Sequence, residues 1–245
     1  MGLTLLLTII IVLIGGIIQG VLGMGFGLFV IPFLVLLYEP TLIIPIIVTV
    51  ALSFNVLFLY RWRKDIKFRD IIYLTLGGIM GLPMGVYILK VVPKEWFGFG
   101  AGSMIALSGL IYLGNIKIKI RKINLISTII GFISGLLGSA VGIGGPPVVL
   151  LFNNENVKKH NFKANIICYF FIIGSISIPL YMINGLLDFS NKKLIIFCVI
   201  PLLIGGLIGE RLTSYLSQKK FEKITLYIVV LAGVWLVFQS ISSII

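Results

Sequence analysis

Apolar residues run in blocks of about 20, each closed by a short polar or charged segment, and that length of α-helix crosses the hydrocarbon of a bilayer. Eight such blocks stand at 3–22, 41–60, 70–90, 96–114, 123–138, 163–183, 193–213 and 221–244. Two shorter apolar pieces, 27–38 and 145–152, follow the first and fifth blocks. A helix of about 12 residues covers only about 18 Å, too little to cross alone. Each piece is therefore predicted as the second half of a broken helix or as a re-entrant segment. Irregular backbone of that kind is tolerated at membrane depth only where it is buried in protein or lines a cavity. The pattern predicts an all-α polytopic membrane protein with about eight transmembrane helices.

Composition sharpens this reading. Hydrophobic residues make up 59% of the chain and charged residues 11%, with a mean hydropathy of +1.15, against roughly 25% charged in ordinary soluble domains. The first charged residue is Glu39 and the first basic one Arg61, so residues 1–38 lack the positive n-region of a cleaved leader and read as a retained span. The net charge of +12 sits mostly in loops between apolar runs, where Lys and Arg orient spans and meet lipid headgroups; no nucleic-acid partner is expected. The densest basic loops, RWRKDIKFR (61–69) and NIKIKIRK (115–122), fall on one side in an eight-pass chain. The charge bias makes that side cytoplasmic and puts the N-terminus there too. The same arrangement leaves the lysine pairs 158–159 and 219–220 outside and the 184–193 loop inside.

The chain also repeats itself. GIIQGVLGMGFGLFVIP (16–32) aligns without gaps on GFISGLLGSAVGIGGPP (131–147), pairing Gly16 with Gly131, Gly20 with Gly135, Gly23 with Gly138, Gly27 with Gly142 and Pro32 with Pro147. Further on, Gly81 pairs with Gly205 and Gly85 with Gly209. Two four-span repeats, 1–114 and 123–245, are expected, and an even number of spans per half relates them by an axis along the membrane normal.

Matched Gly and Pro interruptions in two halves mark a transporter's binding site, because unwound backbone turns free N–H groups toward a ligand and a restarting helix presents its positive end. Gly23, Gly25, Gly27, Gly138, Gly142, Gly144, Gly145 and Pro146 are the backbone candidates; Gln19, Ser134 and Ser139, which flank the breaks, are the side-chain candidates. Gly16, Gly20, Gly131 and Gly135 have the GxxxG spacing of close helix packing instead. Bulk at Gly142 or Gly144 is expected to block a ligand with little change in stability, and at Gly131 to act through packing. A small anion held by amides and hydroxyls is the expected substrate, since the spans carry few charges. Lys90 and Arg211 sit near span ends, and Glu39 adjoins a break. His160, in a polar loop, is the one histidine, and Cys168 and Cys198 stand alone in apolar stretches. Neither a metal site, a cofactor nor an enzyme is indicated.

These motifs carry a resemblance. The doubled glycine break, GFISGLLGSAVGIGGPPVV, the FKAN stretch that opens a span, GLIGERL and VPKEWFGFGAG are similar to the sulfite exporter TauE/SafE family of permeases. The resemblance implies a multi-pass permease of the cell membrane that moves sulfite, an organosulfonate or a related sulfur anion. A passive anion channel is the alternative. Two departures stand out. The first break ends GFGLFVIP without a double glycine, and Lys163, Ala164 and Asn165 replace an Arg-Ala-Thr-like stretch.

Overall fold

The computed structural model describes residues 2–114, 124–153, 159–213, 215 and 218–244. The NIKIKIRK run, Lys158 and the side chains of His160, Lys219 and Lys220 lie outside the described residues. The helices are α1 (Gly2–Leu22), α2 (Phe26–Leu34), α3 (Pro40–Trp62), α4 (Phe68–Val91), α5 (Lys94–Leu113), α6 (Asn124–Val141), α7 (Gly145–Asn153), α8 (Lys159–Ile183), α9 (Lys192–Leu212) and α10 (Gln218–Ile244). Seven of the eight expected spans are helices long and apolar enough to cross a membrane. The eighth, α5, has a shorter apolar stretch, Trp96–Ile111.

The two short pieces are the two nine-residue helices, α2 and α7. α1 stops at Gly23, whose φ of 81° closes the turn through its own N–H to Gln19 O at 2.7 Å, and α6 stops at Gly142 with φ 73° and a bond to Gly138 O at 3.0 Å. A residue with a Cβ is disfavoured in that left-handed region, so glycine is what makes each stop sharp. Beyond its break α2 folds back along α1: a side chain added at Gly15 would be driven into Val30 and would crowd Phe26. Pro32 lies inside α2. Pro40 then opens α3 at a first-turn position, where its missing N–H costs nothing.

That return stroke changes the topology. The Thr8 hydroxyl lies 3.0 Å from the Tyr38 hydroxyl, just before α3, while the far ends of α1 and α3 both meet the start of α8, through Gly23, Trp62 and Lys163. So α1 and α3 run parallel, and α2 supplies the pass between them. α3 and α8 are antiparallel: Asn161 Nδ2 donates to Asp65 O at 2.8 Å, Lys67 N donates to Asn165 Oδ1 at 2.8 Å, and Gly174 faces Leu52. α5 and α10 are antiparallel as well, with Gly98 against Ser240 and Gly109 against Val230. The axis along the membrane normal expected from four spans per half is therefore wrong. With its return stroke counted, each half makes an odd number of passes and the halves point in opposite directions.

Packing crosses between the halves. α1 pairs with α9 and α4 with α6, each pair parallel and lined with glycines whose neighbours are backbone. Gly20 approaches Gly206 O, Gly205 approaches Leu13 O, and Gly209 approaches Ile17 O; in the other pair Gly81 approaches Phe132 O and Gly131 approaches Leu74 O. Such approach is possible only without a Cβ, and dispersion between close backbones is a main source of helix association in lipid. Gly81 on Phe132 and Gly205 on Leu13 are the same contact displaced along both helices. The helix limits carry the same displacement of 119 residues, from Leu22 to Val141, Phe26 to Gly145 and Leu34 to Asn153. Gly23 therefore stands opposite Gly142, not Gly138, and the ungapped sequence pairing is one helical turn out of register.

The basic residues now sort by end. Arg61 pairs with Glu210, so α3 and α9 finish at one end, where α8 also begins. The helix ends flanking 115–123 and 154–158 belong to that end too. Lys90, Lys94, Lys192 and Lys193 belong to the opposite end, with Lys94 Nζ 2.8 Å from Glu39 Oε1. The first turns of α8 and α10 thus join the 61–69 loop, and the N-terminus leaves it. By charge bias the N-terminus faces away from the cytoplasm. Cys168 and Cys198 are buried, which leaves a quiet background for labelling. An impermeant maleimide is expected to label Lys192→Cys in intact cells and Lys64→Cys only after permeabilisation; the eight-pass arrangement would protect both.

Candidate functional site

The two breaks meet. A side chain at Gly27, in the first turn of α2, would be driven into the carbonyl of Gly142. Around this contact lies a cavity of ≈110 Å³ lined by both breaks and by one face each of α3 and α8. Gln19, Gly23, Gly25, Gly27, Gly138, Gly142, Gly144 and Gly145 are at its wall, together with Met24, Phe26, Leu28 and Ile143. α3 contributes Ile47, Val48, Ala51 and Asn55, and α8 contributes Ile166, Ile167, Phe170, Ile173, Gly174 and Ser177, both at helical spacing.

Ser134, Ser139 and Pro146 are not at the wall. Ser134 Oγ donates to Gly144 O at 2.6 Å and so pins the second break. Ser139 Oγ donates to Gly135 O at 2.8 Å and Leu82 O at 3.0 Å, at the α4–α6 interface. Lys90 and Arg211 are exposed, and neither lines the cavity. Asn55 and Ser177 are polar wall residues that the sequence did not single out. Ser177 Oγ already donates to Ile173 O at 2.8 Å, whereas Asn55 is 6% exposed and lines the wall. Both stand in the sequence among the few polar side chains inside the spans, with Ser53, Asn165 and Ser175.

The polar supply is uneven. The first-turn amides of α2, on Phe26, Gly27 and Leu28, have no preceding helical carbonyl to bond, and the first helical bond to Gly25 O, at 3.0 Å, comes from Phe29. All three residues are at the cavity wall. At the corresponding turn of α7, Pro146 and Pro147 have no N–H to offer. The first break is thus a donor and the second a shaped wall. Beside the donors, Gln19 is 6% exposed and its Oε1 has no hydrogen-bond partner among the described residues. A buried acceptor left unpaired costs about 1–3 kcal/mol, so this part of the wall suits a ligand group or water that donates a hydrogen bond. Among the described residues no charged side chain lines the cavity.

The sequence model of the family described as "Sulfite exporter TauE/SafE" matches residues 7–236. The chain belongs to the sulfite exporter TauE/SafE family. Neither the curated proteins nor the solved structures gave a significant match to it. As a TauE/SafE protein it is a multi-pass membrane transporter, and the family match spans both breaks, the α3 and α8 faces and the glycine-lined helix pairs.

Proposed function

We propose that this TauE/SafE permease binds a small sulfur oxyanion of the size of sulfite in the cavity between its two helix breaks, and carries it as a saturable transporter. The meeting of the breaks around a mostly apolar cavity with a few polar groups at its wall is the observation that supports this most. Free amides at the start of α2 suit an anion, since the positive end of a helix adds about 0.3–1 kcal/mol at a surface and up to about 2 when partly buried. The apolar wall with a few convergent polar groups is the usual make-up of a small-ligand site. We also propose that 1–114 and 123–245 are inverted repeats, supported by the antiparallel α3/α8 and α5/α10 pairs. Gly23, Gly25, Gly27, Gly138, Gly142, Gly144, Gly145 and Gln19 form the site; Ser134, Ser139 and Pro146 shape it.

Flux of sulfite into proteoliposomes, in competition with sulfate, taurine, sulfoacetate and chloride, tests the reading. Saturation by sulfite and poor competition by chloride are expected; flux linear in concentration would make the protein a passive channel. Gln19→Leu removes the amide and is expected to raise the half-saturating concentration about tenfold, the loss of one well-placed polar contact in a dry site. An unchanged value would remove Gln19 from the site.

A further inference from the structure

A charged side chain adjoins the cavity wall: Lys163, on α8 one turn before the wall residues Ile166 and Ile167. Its aliphatic stem covers Gly23, itself part of the wall: a Cβ at Gly23 would lie 2.9 Å from Lys163 Cγ and 2.9 Å from Cε. The ammonium donates to Gly20 O at 3.2 Å and stands 5.4 Å from the centre of the Trp62 ring. That carbonyl is available because α1 ends at Leu22, so the helical partner four residues on is missing. The Glu210 carboxylate acts on Lys163 as well, but it is already paired with Arg61. Two cations, Lys163 and Arg61, and one acid, Glu210, leave this group net positive.

The second break lacks such a group. There a Cβ at Gly142 would meet the aliphatic ends of Ile31 and Ile44. Ile44 stands to Gly142 as Lys163 stands to Gly23, at the same displacement of 119 residues. One break is covered by a hydrocarbon and the other by a cation on a flexible stem.

We propose that Lys163 is the specificity-determining cation at the basic end of the cavity, and that an anion arriving from that end replaces the Gly20 carbonyl as the partner of its ammonium. The exchange draws the stem off Gly23 and uncovers the wall. An anion brings a full opposite charge that the neutral Gly20 carbonyl lacks, so the exchange runs toward the anion. This inference rests on the reading of the cavity as an anion site.

The test measures sulfite flux in proteoliposomes of known orientation with sulfite added from each side in turn. Lys163→Gln is expected to raise the half-saturating concentration at the basic end about tenfold and to leave the opposite end unchanged, with Lys163→Arg restoring most of the loss. A purely structural lysine would lower thermal stability and shift both ends alike. In a Trp96→Phe/Trp235→Phe background, Trp62 is the remaining indole, and sulfite is expected to change its fluorescence unless Lys163 is also replaced by Gln. An unchanged half-saturation at the basic end, or equal changes at both ends, overturns the role of Lys163 while saturable flux keeps the cavity reading. Absence of saturable flux in the parent overturns both.

Discussion

Replacing Gly145 by leucine is expected to abolish sulfite flux while the protein melts within about 2 °C of the parent, as for a substitution that meets no neighbour. Gly145 opens α7 and lines the cavity, yet a Cβ built on it has nothing within 4 Å. The isobutyl group would therefore enter space that the ligand needs without displacing protein. Gly142 and Gly144 do not give so clean an answer, and the expectation that bulk there would spare stability does not hold. Gly142 has φ 73° and Ile31 lies in the path of its Cβ; a Cβ on Gly144 would sit 2.8 Å from the backbone oxygen of Ser134. Leucine at either position should lower both flux and melting temperature. Liposome uptake beside detergent melting curves separates the cases, and parent-like transport by Gly145→Leu would show that the substrate does not pass this cavity.

Gly131→Leu is expected to act in the opposite sense, lowering the melting temperature by about 5–10 °C while the folded fraction keeps the parent half-saturation. A side chain at Gly131 would be driven into the Leu74 carbonyl, and backbone cannot move aside as a side-chain tip can. The α4–α6 pair has to separate, and the loss runs along the glycine-lined seam rather than at one residue. Gly100→Leu is the control: a Cβ at Gly100 meets nothing within 4 Å, so its melting temperature should stay with the parent. Equal melting of Gly131→Leu and Gly100→Leu would mean that close backbone approach is not what joins these helices.

The crossing helices were legible because lipid rewards one property, continuous apolarity, and the chain writes it plainly. The sequence located α2 and α7 within a few residues, for the Gly and Pro that break a helix are visible as residue types. What it did not contain was the direction of α2. A nine-residue helix can continue forward or fold back with the same apolar face, and the choice is made by Val30 and Phe26 lodging beside Gly15. With that direction went the repeat axis and the side of the N-terminus. The repeat register slipped for a related reason: residues four apart on a helix share a face, so a glycine stripe moved by one turn still matches itself. Positive φ marks Gly23 and Gly25 at the first break and Gly142 at the second, a backbone property that residue type does not show. Ser134 and Ser139 were drawn to the site by position, but a hydroxyl in a helix bonds whichever carbonyl lies near it, and here that was Gly144 O and Leu82 O.

The crosswise pairing of α1 with α9 also bears on how the protein is made. The first helix leaves the ribosome with Gly16 and Gly20 on its face, but their partners Leu202 and Gly206 lie 186 residues downstream. At about 5–20 residues per second, synthesis needs roughly 10–40 s to deliver them. During that interval the opening helix resides in the bilayer, or beside the insertion machinery, with its tightest contact surface bare. An N-terminal half released alone would keep that surface uncovered for good, so maturation of this permease is a late, whole-chain event.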